Sequence, residues 1–169
     1  KSFGQGRENV LGLSQAMAGA VREVTLLGGG FQDIVDIQDN IGIALGRNLV
    51  LATDSYEKLY AAQSVTLQNA GTIATAFKDV GFSVNQSANQ MQQVVDISRS
   101  MGVSAQAVSK EVVGNIEALN KYNFQDGVQG LARMAAQATS LRIDMRETLR
   151  FAEKVFNPEG AIEAAAAMQ

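Results

Sequence analysis

The chain has 169 residues, of which 46% are hydrophobic and 18% charged, with a net charge of −3 and neither His nor Cys. That length suffices for one ordinary domain, and such a composition is not that of a disordered chain. The acidic balance argues against a nucleic-acid partner, and the missing His and Cys remove Ser-His-Asp and Cys-His nucleophiles, disulfides and the usual zinc sites.

One proline in the whole chain and continuous helical periodicity predict an all-α protein, with several helices joined by short Gly-containing turns. The arrangement is expected to be extended or bundle-like, and oligomeric. The pattern places helices over 8–27, 31–45, 48–79, 84–101, 104–121, 124–140 and 142–156, and a further one opening at Asn157. Three units are expected: an N-terminal arm over 1–30, a helical segment over 31–101 and another over 102–169.

LLGGGF at 26–31 is the clearest break, because Gly28, Gly29 and Gly30 in a row lose too much backbone entropy inside a helix. It reads as a hinge. A phosphate loop would need a Lys-Ser/Thr pair and a preceding strand. Next, DIVDIQD spaces Asp33, Asp36 and Asp39 by three residues on one helical face. Three carboxylates suit a hard cation, but the Gly turn and closing Glu of a calcium loop are missing, so a solvated acidic face is the favoured reading. IGIALGRNLVLA at 41–52 is too short for a membrane span and carries Arg47 and Asn48. No membrane contact is expected from these residues. Gly46, Gly81 and Gly102 fit helix ends.

The C-terminal half is better ordered in its pattern. Ser104 is a candidate N-cap, with Val103 stapling onto Val108, and Val108, Val112, Ile116 and Leu119 share a face. A second stripe starts at Val128 and runs through Leu131, Ala135, Ala138, Leu141, Met145, Leu149, Ala152 and Phe156 in steps of three and four, close to a coiled-coil seam. From Leu131 onward it is the candidate helix-packing or oligomer interface. Arg142, Asp144, Arg146, Glu147, Arg150, Glu153 and Lys154 occupy the opposite face. The aromatic residues Phe77, Phe82, Tyr122, Phe124, Phe151 and Phe156 read as core or interface anchors. No catalytic residue, metal ligand or cofactor is assigned, and an enzyme is not expected. In NPEGAIEAAAAMQ, Asn157 caps and Pro158 opens a helix that the last residues leave unfinished, as in a piece of a longer chain.

Three stretches, GVSAQAVSK, GVQGLARMAAQATSLRIDM and FAEKVFNPEGAIEAAAAMQ, resemble the tail tape measure proteins of bacteriophages, over roughly residues 102–169. The resemblance implies a long, helical homo-oligomer, a trimer or hexamer, lying in the lumen of the virion's tail tube. Its length would set that of the tail, and it would assist tube assembly and genome delivery. Tail tube and baseplate hub proteins would be its partners, and this chain would be an internal fragment. Two other classes share the composition. One is another self-assembling helical protein, flagellin-like or scaffolding. The other is a helical binding module, a chemoreceptor-type sensor or secreted effector.

Overall fold

Ile34, Ile37, Gln38 and Ile41 recur at helical spacing, and all four are buried on one face of one helix. The same logic repeats along the chain. The computed structural model describes residues 2–47, 49–122, 124 and 126–156, with side chains from Val10 onward except those of 152 and 154–156. Nine helices lie among the described residues: α1 (Ser2–Leu26), α2 (Phe31–Leu45), α3 (Thr53–Thr66), α4 (Ala70–Asp79), α5 (Val84–Ser100), α6 (Ala105–Gly114), α7 (Ala118–Lys121), α8 (Val128–Leu141) and α9 (Met145–Phe156). No strand lies among them, so the protein is all-α. None of these helices is long and apolar enough to cross a membrane.

The helices pack around one contiguous core. α2 lies along α4, α3 along α5, and α8 against both α5 and α6, while α1 rests on α2 and α3. Ile34, Ile37, Ile41, Tyr56, Leu59, Ile73, Phe77, Met91 and Leu131 supply its largest fully buried side chains. Small residues set the spacing. A methyl group on Gly71 would sit 2.6 Å from the Asn40 carbonyl oxygen, so only glycine lets α4 approach α2 this closely.

The helix ends follow from local chemistry. Ser83 and Ser104 accept hydrogen bonds from the Gln86 and Ala107 N–H groups, and Gly46, Gly81 and Gly102 hold positive φ at helix ends. Other ends differ from the pattern. The helix expected over 48–79 starts at Thr53 and is cut in two at 67–69. Leu67 is left-handed, and the Asn69 carboxamide accepts the Thr72 N–H at 2.9 Å, which opens α4 afresh. The helix expected over 104–121 breaks after Gly114, where the Asn115 side chain donates to the Glu111 carbonyl at 2.8 Å. Asp126 and Gly127, both at positive φ, delay the next helix to Val128. The last described helix starts at Met145 rather than 142, because Arg142 turns left-handed and Asp144 accepts the Arg146 N–H at 2.8 Å. The helix expected from Asn157 lies outside the described residues.

The glycine triplet is held on three sides. The Gly29 N–H donates to the Val24 carbonyl at 2.9 Å, and the Gly30 N–H donates to the Asp33 carboxylate at 2.7 Å. A side chain on Gly29 would meet the Tyr60 ring and Val24 at 2.6 Å. Ala20 and Val24, late in α1, are fully buried in the shared core.

Candidate functional site

The stripe that the sequence runs from Leu131 to Phe156 is divided by the α8–α9 turn. Leu131, Ala135 and Ala138 are buried, with Val128, Ala132 and Ala136 beside them, and that face of α8 packs on α5 and α6. Alanine at so many of these positions lets three helices come close. From Leu141, the last residue of α8, onward the environments alternate. Leu141 is 68% exposed, Met145 fully buried and Leu149 half-buried. The side chains of Ala152 and Phe156 lie outside the described residues. The stripe is therefore an internal packing surface from Leu131 to Ala138, and of its later described members Leu141 and, in part, Leu149 reach solvent.

A groove of about 950 Å³ opens beside α9. Its walls come from α2 (Asn40, Ile43, Ala44), α4 (Thr72, Thr75, Asp79), the α6–α7 turn (Asn115, Ile116, Glu117) and α9 (Arg146, Leu149, Arg150, Glu153). Its charges are mixed, Lys121, Arg146 and Arg150 against Asp79, Glu117 and Glu153, so it presents no single-sign field. The periodicity of the sequence gives no sign of this groove. It arises where α2, α4, the α6–α7 turn and α9 meet.

No protein-family model, curated protein or solved structure matches the chain. The residues themselves therefore carry the reading of the site.

Asp33, Asp36 and Asp39 do not converge. Asp33 caps the Gly30 N–H, Asp36 accepts from the Gln32 carboxamide at 2.8 Å, and Asp39 is exposed. Among the described residues no three carboxylates are grouped to hold a metal. Of the aromatic residues, Phe77 is buried and meets Phe82 edge-on at 5.8 Å, and Tyr122 meets Phe124 edge-on at 6.2 Å. Phe151 is 56% exposed on α9. Two clusters of large apolar side chains stand at corners of the fold: Leu26, Leu27 and Phe31 around the glycine turn, and Leu141 and Ile143 at the α8–α9 turn.

A buried polar relay is absent from any sequence expectation. The Tyr56 hydroxyl donates to the Gln38 carboxamide oxygen at 2.6 Å, and the Gln38 amide donates to the Leu49 carbonyl at 3.0 Å. It ties α2, α3 and the connecting segment together. Burial pushes the Tyr56 hydroxyl up to about 12, from 10. An unfolded chain ionises this group first, so its stabilising effect is complete below pH 10 and is lost as pH rises through 12. The expected loss over that window is up to about 3 kcal/mol. Urea unfolding at successive pH values checks it. Tyr56→Phe should lower stability near neutrality by about 1 kcal/mol and flatten the alkaline fall. An equal alkaline slope in both proteins would remove Tyr56 as its cause.

Proposed function

We propose that this chain is a structural part of a bacteriophage tail, a tape measure protein that lies in the tail tube as a homo-oligomer and contacts tube and baseplate hub proteins. The sequence resemblance over 102–169 suggests it. The structural observation that supports it is the pair of exposed apolar corners, Leu26–Leu27–Phe31 and Leu141–Ile143. Large apolar side chains clustered at the surface favour assembly with other chains. Two of the resembling stretches, GVSAQAVSK and GVQGLARMAAQATSLRIDM, supply the start of α6 and all of α8, which pack on each other. Those two stretches therefore lie side by side in the fold.

The groove favours a second reading, a helical binding module, since its volume is that of a small-ligand site. Phage particles separate the two. Peptides of this chain should appear in purified tails, and an in-frame deletion of the coding segment for 102–156 should give no tails or tails of altered length by electron microscopy. Normal tails from the deletion strain, with no peptide of the chain in wild-type particles, would reject the tail assignment.

A further inference from the structure

The two apolar corners of the fold differ in charge. At the α1–α2 turn Leu26, Leu27 and Phe31 are all exposed. A methyl group on Gly28 or Gly30 would meet nothing within 4 Å, so the outer side of this turn is open. The charges beside it are acidic. α2 has no Lys or Arg in its 15 residues, and its Asp36 and Asp39 are exposed. Arg22 and Glu23, one turn back on α1, cancel. At the α8–α9 turn Leu141 and Ile143 are exposed, and Arg142 stands between them. Arg142 holds φ at 55°, where Gly or Asn costs less, so the turn itself gives no reason for an arginine. Arg146 is exposed one turn on, and Asp144 is turned back onto the Arg146 N–H. Glu147, next along α9, is offset by Arg150.

Both corners are fixed in shape. The Gly29 and Gly30 N–H groups donate back to the Val24 carbonyl and the Asp33 carboxylate, and the Ile143 N–H donates to the Ala138 carbonyl. Preorganised surfaces lose little freedom on docking. The corners also belong to different parts of the body, since α1 and α2 pack on each other and on α3, whereas α8 packs on α5, α6 and α9.

We infer that this chain binds a second copy of itself head to tail, the Leu26–Leu27–Phe31 corner of one copy against the Leu141–Ile143 corner of the next. The apolar side chains cover one another, and Arg142 and Arg146 face Asp36 and Asp39. The corners match in apolar content and oppose in charge. Two like corners would instead set carboxylates against carboxylates or guanidinium groups against each other. The contact is therefore heterologous: each copy keeps one corner unused for the next, so copies add in a ring or a filament. This rests on the homo-oligomer of the reading above, and not on its place in a tail.

Sedimentation velocity on the 169-residue chain tests the contact. Leu26 is 74% exposed, so Leu26→Glu, like Leu141→Glu, should leave the helical signal intact. Each variant alone should be monomeric at concentrations where the natural chain assembles. Mixed in equal amounts, they should form a dimer and nothing larger, because one intact corner remains on each. Asp36→Arg and Arg142→Glu should each raise the dissociation constant at least about tenfold, and the chain that carries both should return to within about threefold of the natural one. A natural chain that stays monomeric up to about 1 mM overturns the contact. So does a Leu26→Glu or Leu141→Glu chain that assembles as the natural one does, a mixture that stays monomeric, or a double charge change that adds its two losses. Phage tails that lack the chain overturn the tail assignment and leave this contact standing.

Discussion

Replacing Leu131 with Glu is expected to unfold the body of the protein. Leu131 is fully buried on the face of α8 that meets α5 and α6. Loss of a buried leucine costs about 2–5 kcal/mol, and a carboxylate left there without a partner adds several more. A domain of this size has about 5–15 kcal/mol in total, so the helical signal at 222 nm should collapse near room temperature. Leu141→Glu, ten residues on in the same stripe, should change stability by no more than about 0.5 kcal/mol, because Leu141 is 68% exposed. If the tail proposal is right, Leu141→Glu acts on assembly instead, and sedimentation should show smaller species with helicity intact. A folded Leu131→Glu protein would mean that α8 does not pack as described. A Leu141→Glu protein that unfolds would mean that the stripe is continuous after all.

That contrast marks how far the sequence can be read. Period and composition sufficed for the fold class and for the helix ends at Ser104, Gly46, Gly81 and Gly102, because each depends on neighbours a few residues away. The breaks at 67–69 and 115–117 were hidden for a different reason. They are made by side chains, Asn69 and Asn115, that compete for backbone groups, and such residues also occur within helices. The stripe looked continuous because Leu141 and Met145 keep the spacing of a helix across a turn that is not one. The relay from Tyr56 through Gln38 to Leu49 and the groove beside α9 depend on contacts between distant segments, which no local period encodes.

The glycine triplet gives the second large effect, with a sign that depends on position. As a bare hinge between two helices, the triplet replaced by alanines would gain up to about 1 kcal/mol per site and fuse α1 to α2. The geometry predicts otherwise. At Gly29 a methyl group would lie 2.6 Å from both the Tyr60 ring and Val24, and overpacking of this kind costs about 1–3 kcal/mol. At Gly28 the backbone holds φ at 90°, where an L side chain adds about 1–2 kcal/mol although nothing stands in its way. Gly30 has extended φ, −149°, and open space around it, so Gly30→Ala should be neutral or slightly stabilising. The expected order of melting temperatures is Gly30→Ala at or above the natural protein, then Gly28→Ala, then Gly29→Ala lowest. Small-angle scattering should show the same overall dimensions for all three, since the turn is fixed by the Gly29–Val24 and Gly30–Asp33 hydrogen bonds and by the burial of Val24. A triple-alanine protein that is both more stable and longer would show that α1 is free of the core at this corner.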